Sequence, residues 1–600
     1  MGLLQKAVET YDNMARLIGV AVVDRPTLLP ISHITQKAQI EISIDRDGNF
    51  INAVAVPVND AKTVVPATEK SGSRTSTTVA PHPLSDQLNY LSDNDPKKFA
   101  AYLGGLEEWA SSSFTHPKVN AICRYIESGT ILSDLCRVGL VTLNDEGKLG
   151  SGKISNTDYE KCLVRWRVLG AGEKNAAWED LTLFQAFSNY YAAKLASEEK
   201  SLCMVSGTYD YVGANHPKGI TSANYGAKLI SANDKTGFTF RGRFSEAWQA
   251  ATVGYTASQK AHNALQWEVA SYGVDYGGRT FICWNPKGMR VQQVTTVLNV
   301  TREKPLTPTE YKAELFRTIS GLRDDLPDGE EVIIAAFDAA TTGRLSLTYY
   351  NELRASDFHE RIQSWYRSCA WENGKFGVQS PHLKHIAERA FGTEQSTGKI
   401  ELDDRVLREQ IQRLMSCITD CAPLPCDLVK ALARRASTPL AYSAKNRAEI
   451  LFTACALIRK YWNDKLNKEE WTMDFEPFKN DRDYQYGCLL AVMEKLERDT
   501  YTKDETREPN AIKLQSAFCQ KPLHTAKVLN EKLLPYLARL SPQKRAFFKK
   551  RIGEIMETIA NCESSRLNAP LGDTYLLGYY LQRQALYRPN ISKEEETEEK

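Results

Sequence analysis

Apolar residues fall at helical spacing from the first turns of the chain. Leu3, Leu4, Ala7, Tyr11, Met14, Leu17 and Ile18 share one face and predict an amphipathic helix. The period then shortens to two: Ile40, Ile42 and Ile44 alternate with polar residues. Asp47-Gly48 supplies a turn and Phe50-Ile51 begins a return strand, so a hairpin is expected. The runs RTFICWN at 279–285 and EVIIAAF at 331–337 read as buried strands, and RLSLTYY at 344–350 completes a hairpin around Gly343. Beyond about residue 355 the threes and fours return. Val406, Leu407, Ile411, Leu414, Met415 and Ile418 repeat at that spacing, as do Val528, Leu529, Leu533, Tyr536, Leu537 and Leu540. The predicted class is α+β: a mixed α/β N-terminal region with small antiparallel sheets, followed by an all-α helical-bundle C-terminal domain.

Between these patterns lie two stretches with little to bury. Residues 61–86 (AKTVVPATEKSGSRTSTTVAPHPLSD) mix Ser, Thr, Gly and Pro with basic residues and read as a long exposed loop. The chain closes on ISKEEETEEK, an acidic run at 591–600 expected to be disordered.

Composition narrows the classes. With 600 residues, 42% hydrophobic and 25% charged, the chain can bury a sizeable core. A net charge of +2 is far from that of a protein that coats nucleic acid, so any such contact must come from local patches. Lys6, Glu9 and Asp12 interrupt the first apolar face as no signal peptide would, and no stretch approaches a membrane span. Lys6 also stands where a myristoylation signal wants Ser or Thr. Thirteen scattered cysteines read as reduced thiols and a cytoplasmic setting.

Catalytic signatures are sparse. GKLGSGKI at 147–154 places Gly147, Gly152 and Lys153 as a phosphate-binding loop would, but Ile154 replaces the hydroxyl that would hold magnesium. A nucleotide-dependent enzyme is thereby kept only as an alternative. Cys417, Cys421 and Cys426 fit no usual zinc spacing, and His382 and His385 lack the Glu of a metalloprotease helix. A nucleophile elbow, a dinucleotide fingerprint and an aspartate-rich metal signature are missing. The expectation is a protein with no enzymatic activity, no cofactor and no metal.

The segment 203–285 is the most informative. Lys218, Lys228, Lys235, Arg241 and Arg243 interleave with Tyr209, Tyr211, Tyr225, Phe238, Phe240 and Phe244, and Ser222, Asn224, Ser231 and Asn233 fill the gaps. Cations pair with phosphates, aromatic faces stack on bases and amides read base edges. The plainer alternative is a half-buried sheet with solvated lysines. A second basic patch is Lys70, Ser71, Gly72, Ser73, Arg74, Thr75 and Ser76, and a third is KRAFFKKR at 544–551.

Cys203 to Gly207, His216-Pro217-Lys218-Gly219-Ile220, Ala227 to Asn233, Ala264-Leu265 and Arg279 to Trp284 follow one another in an order that resembles the large subunit of the type I-C CRISPR Cascade effector. SGSRTS at 71–76 followed by Asp86 and Tyr90 is similar to that family's Arg-Thr-Ser loop before an Asp-x-x-x-Tyr helix. YGCLLAVMEKLE at 486–497 and LLGYYLQRQ at 576–584 resemble its later helices. Cys488 stands where the family helix usually carries Arg, and Leu581 where the terminal helix often carries His.

The resemblance implies a non-catalytic subunit of an RNA-guided surveillance complex. A guide RNA held by other Cascade backbone subunits would read the target by pairing. This chain would recognise the protospacer-adjacent motif in double-stranded DNA, promote strand separation and R-loop formation, and dock a helicase-nuclease. A small subunit is the remaining implied partner, and Met473 is a candidate internal start for it. No membrane partner is expected. The domains expected are a mixed α/β nucleic-acid-binding region at 1–355, with its basic loop at about 61–86 and core segment at 203–350, a helical linker at 356–472, and a bundle resembling the small subunit at 473–590. Lys70, Ser71, Arg74, Thr75, Ser76, Lys218, Lys228, Asn233, Arg241 and Arg243 are the expected DNA contacts, with Asn233 and Ser76 as base readers. The rival is a scaffold of the ribonucleoprotein that never touches DNA.

Overall fold

The computed structural model describes residues 2–22, 25–74, 78–231, 244–245, 249, 251–300, 304–341, 343–562 and 566–587. The chain forms two compact units, Met1–Arg290 with Glu331–Glu352 and Val291–Glu330 with Leu353–Lys600. The expected acidic tail at 591–600 lies outside the described residues.

In the first unit, β2 (Ile40–Asp45) is the middle of a three-stranded sheet, flanked by β3 (Phe50–Ala55) and β7 (Val164–Leu169). The predicted hairpin forms. The Asp45 carboxylate accepts from the N–H groups of Asp47 (2.8 Å) and Asn49 (2.9 Å). Gly48 takes φ +90°, where a side chain would also meet the Ala121 carbonyl at 2.8 Å. The sheet is not wholly antiparallel, as the patterns had led us to expect: β2 and β7 run parallel, Ile40 opposite Val164. Parallel neighbours need a long crossover, and the chain between them supplies α3 (Pro96–Ala110) and α4 (Pro117–Glu127). Ile40, Ile42, Ile44, Val164, Trp166 and Val168 are all wholly buried in one core with Trp109, Ile122 and, from α5 (Leu181–Leu195), Phe187.

A second sheet of the same unit has the order β10 (Val274–Tyr276), β11 (Arg279–Trp284), β12 (Glu331–Thr341), β13 (Arg344–Arg354). The three runs read as strands from sequence are therefore strands. α1 (Leu3–Asn13) and α6 (Tyr255–Tyr272) pack with this sheet, joining Ala7 and Tyr11 to Ala264, Ile282, Trp284, Ile333 and Phe337 in one core. The Trp284 indole donates to the Thr10 hydroxyl at 3.1 Å.

The second unit is mainly helical: α7 (Pro308–Asp325), α8 (Ala355–Ser368), α9 (Leu383–Phe391), α10 (Asp404–Thr419), α11 (Cys426–Ala436), α12 (Ala444–Leu466), α13 (Arg482–Arg498), α14 (Pro522–Arg539), α15 (Pro542–Ala560) and α16 (Tyr575–Tyr587). A small hairpin, β14 (Trp371–Glu372) with β15 (Val378–Gln379), sits among them. α13 is buried round most of its surface, Gln485, Glu494 and Glu497 included, the mark of a central helix. It crosses α16 at two glycines: a Cβ on Gly487 would lie 1.9 Å from the Tyr575 carbonyl, and one on Gly578 would lie 2.0 Å from that of Tyr484. Cys488 and Leu581, the two departures from the family pattern, are both buried, and the Cys488 thiol faces the Gly578 carbonyl at 3.5 Å. The class is α+β. No described helix is long and apolar enough to cross a membrane.

Candidate nucleic-acid interface

The segment read as a long exposed loop at 61–86 is instead woven into the first unit. β4 (Lys62–Pro66) pairs with β1 (His33–Lys37), and Thr63, Val65, Ala67, Ala80, His82, Leu84 and Asp86 are buried. The local reason is α2 (Glu69–Gly72), closed by a capping box. The Thr68 hydroxyl accepts from the Ser71 N–H at 3.1 Å, and the Ser71 hydroxyl accepts from the Thr68 N–H at 2.9 Å. Ser71 is buried against His82, whose Nδ1 lies 3.0 Å from the hydroxyl. Burial holds the His82 imidazole down to about 4, with Asp86 pulling it up and Arg74 pushing it further down.

Arg74 closes the segment. Its two terminal nitrogens donate to the wholly buried Asp86 carboxylate at 2.7 and 2.6 Å, and Nη1 also reaches the Ala80 carbonyl at 3.0 Å. The guanidinium lies over the Tyr90 ring, 4.6 Å from its centre, and only 14% of the side chain is exposed. Burial would lower its affinity for the proton, but the Asp86 hydrogen bonds and charge override this and hold it above the usual arginine range. The Arg, Asp and Tyr of the family-like loop are therefore one cluster. Expected as a DNA contact, Arg74 is committed to a fork on Asp86, and a phosphate would have to displace that carboxylate. Ser71 is likewise turned inward, while Lys70 is exposed.

A residue that the patterns did not flag joins this segment to the basic–aromatic one. Glu69 accepts from the Tyr211 hydroxyl at 3.0 Å and from the Asn215 N–H at 2.8 Å, while its own N–H donates to the Tyr191 hydroxyl at 3.2 Å. Gly213 passes so close that a Cβ there would be 2.6 Å from the Glu69 carboxylate. A lone acid in a basic stretch is the only sequence signal for such a hub.

From Asn215 the network continues. Its side-chain carbonyl accepts from the Lys228 ammonium at 3.2 Å, and the Lys228 backbone is hydrogen-bonded to Gly343 and Leu345, fixing the lysine beside the β12–β13 turn. Burial, then the positive charge of Lys218, lowers the Lys228 ammonium from its ordinary range, and Glu69 works against both. His216 is pinned by the Ser258 hydroxyl at 2.8 Å and stacks on His262, and burial drives it down to about 3. Between them Lys218 is partly exposed, and the Tyr209 and Tyr225 rings stand 72% and 57% in solvent. Thus Lys70, Lys218, Lys228 and two open aromatic rings belong to segments tied together through Glu69. Thr75, Ser76, Asn233, Arg241 and Arg243 lie outside the described residues.

Two other candidates resolve differently. After Lys153 there is no helix to receive a phosphate. β5 (Lys153–Ile154) turns back on β6 (Thr157–Asp158), and the Tyr159 ring lies where a Cβ on Gly152 would be. In KRAFFKKR, Lys544 pairs with Asp499 at 3.1 Å, Arg545 binds the Leu537 carbonyl at 3.0 Å, and Arg551 lies against Gln582 and Glu554. Phe547 is half exposed.

The model of a family described as CRISPR-associated protein (Cas_Csd1) matches residues 8–587. Comparison with curated proteins gives no match.

Proposed function

The chain belongs to the Cas_Csd1 family of CRISPR-associated proteins, and on that premise we propose that it is the DNA-sensing large subunit of a type I-C-like surveillance complex. Its task in this reading is to engage duplex DNA beside the target, recognise the short adjacent motif, help part the strands while the guide RNA pairs, and present a surface to a helicase-nuclease. It cuts nothing itself. The observation that carries this reading is the Glu69 hub. One carboxylate ties the Lys70 segment to the Tyr209–Lys228 segment, and between them these segments carry three lysines and two open tyrosines. Lysines there would meet phosphates as point charges, and the tyrosines offer stacking faces to unpaired bases. Arg74 supports the surface from beneath in this reading.

The test is a gel shift with the guide-RNA complex assembled with and without this chain, on target duplexes with the adjacent motif intact or scrambled. Tight binding of the motif-bearing duplex should require the chain. Lys70→Ala and Lys218→Ala should each weaken all duplexes alike and lower the slope of log affinity against log salt by about 0.9, one phosphate contact apiece. Equal binding without the chain would remove the DNA-sensing role and leave a structural scaffold.

A further inference from the structure

His382 and His385 stand on the wall of a cavity of about 420 Å³ in the second unit. The walls come from α7, α8, α9, α12, the β14–β15 hairpin and the stretch 297–300. One part is aromatic, with Tyr311, Tyr366, Phe376 and Phe452 contributing rings, and Phe376 is 54% exposed. Another part is polar. The Arg389 guanidinium is held in a fixed orientation by the Thr453 hydroxyl at 2.8 Å and the Glu449 carboxylate at 2.6 Å. The His382 and His385 rings meet edge to face with centres 5.5 Å apart. His382 lies 3.1 Å through Nε2 from the Thr295 carbonyl, so that nitrogen donates and Nδ1 is left as an acceptor. On the hairpin, the Asn373 amide donates to the Gln379 side-chain oxygen at 3.3 Å.

The electrostatics of the polar end are one-sided around His385. Burial, then the charges of Arg389, His382 and Lys384, hold its imidazole down to about 4, and no anion offsets them. Glu449 is the single carboxylate among the lining residues, and it is engaged with Arg389. The cavity therefore combines flat apolar walls, a rigid cationic fork, neutral imidazoles and amides. Small-molecule sites have this make-up, mostly apolar with a few fixed polar groups, and the volume suits a ligand of one ring system and one anionic group.

We propose that this cavity is a binding site for a single nucleotide, its base between the aromatic walls and its phosphate toward Arg389 and His385. The occupant is either a free mononucleotide or one unstacked nucleotide of a single strand. This site belongs to the second unit and stands independently of the duplex-binding reading.

The experiment is calorimetric titration of the full chain with AMP, with dTMP, with inorganic phosphate, and with single-stranded trinucleotides of adenine and of thymine. A mononucleotide should bind at one site and more tightly than phosphate. Phe376→Ala should weaken it about tenfold, the loss of one stacking face, and Phe478→Ala, a still more exposed ring elsewhere, should leave it unchanged. A trinucleotide that binds more tightly than its mononucleotide identifies a strand as the occupant; one that binds no better identifies a free nucleotide. No saturable binding of any of these ligands, or binding indifferent to Phe376→Ala, overturns the proposal. Because Phe376 is half exposed, its replacement leaves the fold intact, which circular dichroism verifies.

Discussion

Two places where distant stretches of this chain meet are built on opposite principles. In the second unit, α13 and α16 touch backbone to backbone because Gly487 and Gly578 have no side chains to keep them apart. In the first unit, α2 and the segments around it are joined by groups that must be satisfied: Glu69 on Tyr211 and Asn215, Arg74 on Asp86, Ser71 on His82. The first contact depends on shape, and the smallest added volume would break it. The second depends on charge and hydrogen bonding, and it should respond to pH and to loss of a partner. A helix crossing can remain rigid in this way. A surface meant to meet a polyanion has to be assembled from polar groups, and each must be paired when it is not in water.

The largest expected effect is on the seam. Gly487→Ala would place a methyl 1.9 Å from a carbonyl of the facing helix, so both helices must separate. Overpacking against backbone that cannot turn aside lies at the upper end of core substitutions, about 4 kcal/mol or more. Gly553→Ala on α15 is the control. Nothing lies within 4 Å of its Cβ, and the change should be neutral or stabilise by up to about 1 kcal/mol through helix propensity. Urea unfolding of both variants measures this. Equal stabilities would mean that the crossing is looser than two facing glycines require.

Next comes the junction. Arg74→Ala leaves the Asp86 carboxylate, wholly buried, with its N–H donors from His82 and Gln87 but no cation. Removing one partner of such a pair costs about 3 kcal/mol, while Arg74→Lys should recover part of that, because a point charge replaces a fork. A loss of DNA binding without a loss of stability would reverse this assignment and return Arg74 to the nucleic acid.

The contrast also explains what could be read from the sequence. Strands and helices with a clean period were legible: Ile40 to Ile44, Arg279 to Trp284, Glu331 to Phe337, and the helices around Ile411 and Leu533 all form where their spacing placed them. The parallel pairing of β2 with β7 was not, because period-two alternation carries no direction. The segment 61–86 misled for a related reason. Beside Val65 and Leu84, its buried residues include Thr63, Ser71, His82 and Asp86, whose burial rests on partners and not on hydrophobicity. The order Arg74, Asp86, Tyr90 was visible as a likeness, yet nothing in spacing says that the three touch. Glu69 left no more than a lone acid in a basic stretch, since its partners at Tyr211 and Asn215 are distant in the chain. The return of 291–330 to pack with the second unit was equally silent.

The effect that is smallest at neutral pH isolates the pH dependence of the junction. His82 is buried beside Ser71 and its imidazole is pushed from 6.5 to about 4. Above pH 6.5 it is neutral in both the folded and the unfolded chain and contributes no slope. Below 6.5 the unfolded chain takes up a proton that the folded chain refuses until about pH 4. Stability should therefore fall across that window by about 1.4 kcal/mol per pH unit from this residue alone, and level off beneath it. The full stability present above 6.5 is thus lost on acidification. His33, His216 and His262 act in the same direction, so the informative quantity is the difference between the parent and His82→Asn. Asparagine keeps a polar group near Ser71 but does not titrate. Its denaturation curve should be shallower against pH between 6.5 and 4 by that amount. Gly487→Ala, whose helices carry no histidine, should keep the parent's slope at lower overall stability. If His82→Asn and the parent decline in parallel, the proton is not refused at the junction, and the distinction between a shape-built and a charge-built contact loses its pH signature.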